Sequence, residues 1–387
     1  MTSKFDIIII GGGIAGFGMA AFLDEKVRVL VLEKEAFPGV HATGRSAALF
    51  SETYGSETIR ALSRAGKPFL LNPPETFQLQ TPLRPRGCLY IATSDQEERL
   101  MQVASSPLMK VATHVVTGSA AEARCPILKP GYTAAALWEP GAQDIDVDAL
   151  LQAFIRKFRT CGGTVHTSAE VTAIMRDSEG WHVCSNGTEY VAPILVNASG
   201  AWADQLARLA DVAPLGIQPF QRTAVLVDPP PESEIGEWPC VIDIDETFYF
   251  KPDAGKLLLS PADEQPMEPC DAQPEELDVA IAVDRVEQAT TLRVRRVEHR
   301  WAGLRSFAPD RLPVVGFDPD ASGFFWLAGQ GGYGVQTAPA LSRLAAALVR
   351  GDEVPVDIRD TGVDQAALSP SRFGRATEVP RSAASPE

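Results

Sequence analysis

The sequence predicts a mixed α/β fold in which a parallel sheet covered by helices is interleaved with a second, mostly antiparallel sheet domain with flanking helices. Three segments spread over the 387 residues point to it. Residues 5–10 end in four consecutive isoleucines and run into Gly11-Gly12-Gly13-Ile14-Ala15-Gly16. Residues 194–200 form another apolar run that ends in small residues. Residues 324–328 form a third, which enters Gly329-Gln330-Gly331-Gly332-Tyr333-Gly334. Short, unbroken apolar runs of this kind suit strands buried on both faces.

Each element has its own reason. Gly11, Gly13 and Gly16 have the spacing that lets a chain turn tightly, approach a pyrophosphate and pack a new helix on the sheet. That helix is expected over 14–23, its first N–H groups aimed at phosphates. Residues 27–32 read as the next strand, with Glu33 placed to accept hydrogen bonds from a ribose diol. Strand, turn, helix, strand and acid in this order predict dinucleotide binding. Residues 147–159 have helical spacing, with Asp146 and Asp148 at the start and Gly162-Gly163 as the stop. Residues 164–166 read as a strand, 171–175 and 181–184 as a hairpin, and 202–210 as a helix. Asp228-Pro229-Pro230-Pro231 and the acidic, proline-rich 261–277 stretch mark loops. Residues 248–259 read as two strands joined by Pro252-Asp253-Ala254-Gly255. Helices are expected over 283–290 and 337–349, and a disordered tail over 374–387.

Composition narrows the function. A hydrophobic content of 45% and a charged content of 22% suit a globular protein. A net charge of −15 argues against nucleic acid and anionic membrane surfaces as partners. The six cysteines and five histidines show no metal-ligand spacing, so no metal is expected and the thiols are read as free. No run approaches the ~18 apolar residues of a membrane span. With too little chain before the first strand for a signal peptide, the expected location is the cytoplasm.

Four separated motifs resemble the D-amino-acid oxidase superfamily of FAD-dependent oxidoreductases. They are the N-terminal glycine loop, His41-Ala42-Thr43-Gly44-Arg45-Ser46-Ala47-Ala48, Leu195-Val196-Asn197-Ala198-Ser199-Gly200-Ala201-Trp202, and Gly329-Gln330-Gly331-Gly332-Tyr333-Gly334. Within it the chain is most similar to the bacterial D-arginine and D-amino-acid dehydrogenases, through 144–148, 248–255, 301–307 and 330–334. The resemblance implies a discontinuous Rossmann-like FAD-binding domain (1–80, 145–215 and 300–373) and a substrate domain (81–144 and 216–299). It implies FAD held by Gly11, Gly13, Ile14, Ala15, Gly16, Glu33, Lys34, Ala42, Thr43, Gly44, Arg45, Ser46, Ala47, Ala48, Leu49, Val171, Gly331, Gly332, Tyr333, Gly334, Val335 and Gln336. Thr43-Gly44-Arg45-Ser46 can begin a helix whose N–H groups face the cofactor. Sarcosine oxidases tether their flavin through a cysteine next to the position of Arg305; Ser306 and Phe307 stand here, so FAD is expected to be non-covalent.

At the reacting end, Arg222 and Arg305 match the family's carboxylate-binding arginines, and a guanidinium fork suits bidentate grip of a planar anion. Tyr54 and Tyr249 match tyrosines lining the substrate pocket and its lid. Gly332 matches a carbonyl that holds the substrate amine, and Glu246 also stands at a matching position. The D-arginine dehydrogenases carry an acid where this chain has Cys88 and a histidine where it has Leu49. These two residues of the side-chain pocket therefore argue for neutral or hydrophobic substrates, since a buried guanidinium without a counter-charge is costly.

The implied reaction is oxidative deamination of a D-amino acid, with hydride passing from Cα to flavin N5 to give an imino acid, then a 2-oxo acid and ammonia. Oxygen or a quinone-like acceptor would reoxidise the flavin. Two alternatives stay open: oxidation of secondary amines (glycine, sarcosine, proline) or 2-hydroxy acids on the same arginines, and a flavin-bearing electron-transfer subunit.

Overall fold

A computed structural model describes residues 3–374. Its central sheet has six strands in the order Thr164–His166, Val29–Leu32, Ile7–Ile10, Ile194–Asn197, Phe324–Ala328 and Val314–Phe317. The first five are parallel and the last is antiparallel to its neighbour. The three segments that predicted the fold are thus adjacent strands at its centre. Strand alternation assigns the isoleucines to opposite faces. Ile7 and Ile9 join the core formed with the helices Ile14–Ala21, Glu57–Leu71, Val147–Thr160 and Gly334–Arg350. Ile8 and Ile10 pack with Trp181, Val183 and Tyr190. Those three come from the meander Val171–Arg176, Trp181–Ser185 and Thr188–Ala192, which extends the expected hairpin by one strand.

The second sheet has nine strands and is antiparallel except where Cys88–Ala92 runs parallel to Cys240–Asp243. Its back is covered by the helix Glu276–Ala289, through Val279, Ala282 and Val286 packed with Phe250, Leu257 and Leu259. The strand Val297–Phe307 pairs with Gln218–Val227 along its length, so residue 300 falls inside this sheet. A ribbon of Leu49–Phe50, Gln143–Ile145 and Leu83–Pro85 lies between the two layers.

Several local expectations need correction. Residues 43–46 form turns rather than a helix: Gly44 N–H donates to Gly39 O at 2.7 Å and Arg45 N–H to His41 O at 3.1 Å. The Arg45 side chain is drawn across to Ala272 O (3.0 Å), Ala302 O (2.9 Å) and Asp271, which ties this turn to the other sheet. The helix Gly334–Arg350 begins directly on the glycine loop, because Val335 and Ala338 bury against the core and override glycine's poor propensity. Glu276–Ala289 starts within the stretch read as loop. Glu57–Leu71 was not expected, although Ser56 caps it by accepting from Ile59 N–H and Ile59, Leu62, Phe69 and Leu70 are buried at helical spacing. Of the tail read as disordered, residues 375–387 lie outside the described residues.

Buried charges fasten the ribbon to the large sheet. Asp144 accepts from Lys251 Nζ at 2.7 Å and from Arg86 Nε at 2.7 Å, and Arg86 also donates to Gly236 O and Trp238 O, both at 2.8 Å. Lys251 is 4% exposed. Without the Asp144 charge, Lys251 keeps only the more distant Asp253 (3.7 Å) as counter-charge, a loss of about 1–3 kcal/mol. Asp144→Asn is therefore expected to lower the unfolding free energy by that amount, seen as a lower urea midpoint at unchanged m-value in equilibrium unfolding followed by tryptophan fluorescence.

Candidate functional site

One face of the large antiparallel sheet is turned toward the glycine loops. Cross-strand partners share a face, and the register sets Phe220 opposite Arg305, Arg222 opposite Gly303, Ile242 opposite Tyr249 and opposite Tyr90, and Cys240 opposite Cys88. Arg222 and Arg305 are thereby diagonal neighbours on adjacent strands. Alternation sends Phe250, Val241 and Leu89 to the core behind the sheet and leaves Tyr90, Arg222, Cys240, Ile242, Tyr249 and Lys251 facing forward, where all six line one cavity of about 490 Å³.

The same cavity is lined by Gly11, Gly13, Ile14, Ala15, Glu33, Lys34, Ala42, Thr43, Arg45, Ser46, Ala47, Ala48, Leu49, Tyr54 and Val171. Gly331, Gly332, Gly334, Val335, Gln336 and Arg305 line it as well. Four expected residues do not. Gly16 acts one layer back: a Cβ there would lie 2.0 Å from Gly11 O, so the glycine allows the helix to close onto the loop. Gly44 lies in the turn behind the wall, its N–H bonded to Gly39 O. Cys88 is fully buried, and its strand neighbour Cys240 takes the wall position. Tyr333 lines the adjoining recess instead, where burial pushes its phenol up to about 12.

The nucleotide end is built from backbone donors and one acid. Glu33 accepts from Gly12 N–H at 2.6 Å and Glu35 N–H at 2.8 Å, which fixes its carboxylate at the strand end with lone pairs left for a diol. Thr43 Oγ1 accepts from Ile14 N–H at 3.0 Å, so its own O–H stays free to donate to a phosphate. Ala15 N–H, in the first helical turn, has no helical acceptor. Lys34 Nζ sits 3.3 Å from the centroid of the Trp202 ring, and both residues line the cavity beside Val171. A diol acceptor, phosphate donors and a long cavity leading to two arginines fit an extended dinucleotide.

At the other end Arg305 is half-buried and lines both the cavity and the adjoining recess. Burial alone would lower its pKa, but Tyr54, Tyr249 and Glu264 face it and the net direction is upward, so it stays cationic. Arg222 is pushed down, by burial first and then by the Arg305 charge. It donates from Nε to Asp263 O at 2.8 Å. Gly332 lies against Arg305: a Cβ there would be 3.0 Å from the guanidinium carbon. Glu246 lines the same space. Two adjacent cations under tyrosines have the charge and the donors to take up a carboxylate.

Sequence reasoning missed several residues, among them the four that follow. Lys251 follows Tyr249 by two in one strand, so alternation could have found it. Ser51 lines the cavity and donates to Glu139 Oε2 at 2.9 Å. Glu139 is buried opposite Cys88 and also accepts from Thr53 Oγ1 at 2.8 Å. Burial raises its pKa despite these hydroxyls. Glu264 was read only as part of a loop. Among the described residues no cluster of metal-ligand type is present, the cysteines are free, and no helix is long and apolar enough to cross a membrane.

This fold and site define a flavin-dependent oxidoreductase. Residues 6–348 match the family of FAD-dependent oxidoreductases of the D-amino-acid oxidase type, and the chain belongs to it. It is 25% identical over 377 residues to glycine oxidase of Geobacillus kaustophilus, covering 92% of this chain and 96% of that protein. The crystal structure of that enzyme superposes with a TM-score of 0.82 over 96% of this chain and 99% of the other. Human mitochondrial dimethylglycine dehydrogenase is 23% identical over 97% of this chain and 45% of its own length. L-Proline dehydrogenase from P. horikoshii shares the fold, with a TM-score of 0.77 and 22% identity over 96% and 98% of the two chains.

Two outcomes follow. Gly16→Ala is expected to displace the Gly11 carbonyl and weaken FAD retention at least about tenfold, read by flavin absorbance after gel filtration at graded FAD. Because the folded pKa of Glu139 is raised, its carboxyl costs stability as pH climbs above its unfolded value and costs nothing below it. Glu139→Gln is therefore expected to gain unfolding free energy on the parent as pH rises above about 4.3, measured by urea titration; a growing loss would contradict the assignment.

Proposed function

We propose that this FAD-dependent oxidoreductase oxidises small α-amino carboxylates, with D-amino acids of neutral or hydrophobic side chain as its preferred substrates. The observation that carries this reading is the convergence of Arg222, Arg305, Tyr54, Tyr249 and Gly332 on the cavity that the glycine loops also line. FAD, when bound, supplies the two-electron acceptor. The chain's own residues bind and orient. Arg305 and Arg222 clamp the carboxylate, and the Gly332 carbonyl takes an amine hydrogen. Clamping both groups of the substrate fixes the direction of its α-hydrogen, and this positioning is the main catalytic contribution asked of the protein. Enclosure strengthens the clamp by keeping water from the charges.

Leu49, Cys240 and Ile242 supply an apolar wall, and Lys251 in the same wall is paired with Asp144. The apolar wall supports neutral substrates over D-arginine or D-lysine. The D configuration rests on the likeness to D-amino-acid dehydrogenases in the segments around Tyr249, Arg305 and Gly332. FAD is held without a covalent bond in this reading, since Ser306 and Phe307 follow Arg305. In this reading oxygen or a quinone-like acceptor closes the cycle.

A second reading, oxidation of glycine, sarcosine or proline, is favoured by the 25% identity to a glycine oxidase over nearly the whole of both chains. Anaerobic mixing of the flavin-loaded protein with D-, L- and N-methyl amino acids separates the two. Faster bleaching by D-leucine, D-methionine or D-phenylalanine than by glycine, sarcosine or D-arginine is expected; the reverse order overturns the preference. Arg305→Met is expected to slow bleaching by roughly 100-fold, from loss of a buried charge-assisted contact. An unchanged rate would put the reaction centre elsewhere.

A further inference from the structure

A third guanidinium stands at the mouth of the site. Arg222, Arg305 and Arg311 line one recess of about 260 Å³ together with Glu264 and Glu246. Arg311 Nη2 donates to both carboxylate oxygens of Glu264 at 3.0 Å, and its guanidinium carbon lies 3.8 Å from the centroid of the Phe307 ring. Glu264 also meets Arg222 Nη2, at 3.3 Å. That is longer than the 2.7–2.9 Å of a tight charge-assisted bond, so the Nη2 contact is loose and open to exchange for a substrate carboxylate, while Nε stays committed to Asp263 O. Glu264 is held in place by its chain neighbours. Asp263 accepts from Thr223 N–H at 2.7 Å and Thr223 Oγ1 at 3.0 Å, and its carbonyl accepts from Arg222 Nε.

We propose that Glu264 restricts the site to substrates with one carboxylate, by occupying the anion position between Arg222 and Arg311 that a second carboxylate would take. This deepens the reading above and rests on Arg222 and Arg305 as the clamp. A monoanionic substrate leaves Glu264 seated. The distal carboxylate of a dianionic one enters within a few ångströms of a like charge and must displace it from Arg311. Selectivity then comes from repulsion at the mouth rather than from a poorer clamp. Removing the charge frees Arg311, in the loop after the strand Val297–Phe307, as a second anion position beside the clamp residue Arg222.

The test uses Glu264→Gln and the parent, both FAD-loaded, in anaerobic bleaching with the matched pairs D-glutamate and D-glutamine, and iminodiacetate and sarcosine. The ratio of kcat/KM for the dicarboxylate over its partner is expected to rise at least tenfold in the variant, and the gain to shrink as salt rises. Calorimetric titration with the non-reacting anions succinate and propionate gives a second readout that needs no turnover. The parent should bind succinate no more tightly than propionate, and the variant should reverse this. An unchanged ratio in the variant, or tenfold tighter succinate binding by the parent, overturns the proposal. Failure of monocarboxylates to bleach the flavin would instead count against the amino-acid reading, and the anion titrations would still judge Glu264.

Discussion

Two guanidinium groups held side by side on one face of a sheet are the constraint around which this molecule is arranged. Burial opposes the charge on both, and each also repels the other. They are tolerable because the β-strands fix them at a diagonal, tyrosines face them, and Asp263 and Glu264 take part of the donor capacity of Arg222. Such a pair gains most when an anion joins it, which turns a liability of folding into a preorganised binding site. A protein with a net charge of −15 keeps this small cationic interior by enclosing it.

Enclosure requires the two layers to be locked together, and single side chains do much of that. Arg45, from the turn that follows the nucleotide loop, reaches the carbonyls of Ala272 and Ala302 beside the antiparallel sheet, while Trp301 Nε1 returns a bond to Arg45 O at 3.0 Å. Asp144, on the ribbon between the layers, holds Lys251 of the substrate wall. The cofactor end and the substrate end are therefore set relative to each other by polar contacts that are satisfied only when both layers are in place. Gly332 completes the fit, since its missing side chain is what lets the loop lie on Arg305.

The legible part of the fold was the part whose signal is local. The run Ile7–Ile10, the glycine spacing and Glu33 specify a strand, a turn and an acid within about thirty residues. The helix Val147–Thr160 carries its own cap, Asp146, which accepts from Ala149 N–H. The helix Glu57–Leu71 had an equally local signal in Ser56 and its buried spacing, and was overlooked. The turn at residues 43–46 could not be read locally, because Arg45 is pulled by carbonyls more than two hundred residues away in sequence. Tyr249 was found through its motif, whereas Lys251 needed only the alternation of the strand that both share.

By itself the sequence determined the nucleotide-binding unit and the family, and it singled out Arg222 and Arg305 as candidates for the carboxylate site, because glycine spacing, strand periodicity and short motifs act over neighbouring residues. Only the tertiary structure decided that Cys240 replaces Cys88 in the wall, that Glu139 lies buried behind hydroxyls, and that Glu264 and Arg311 stand at the mouth. These assignments depend on strand register and on which loop folds over which sheet face. Register is set by burying one whole face of a strand at once, a collective condition that no stretch of neighbouring residues states.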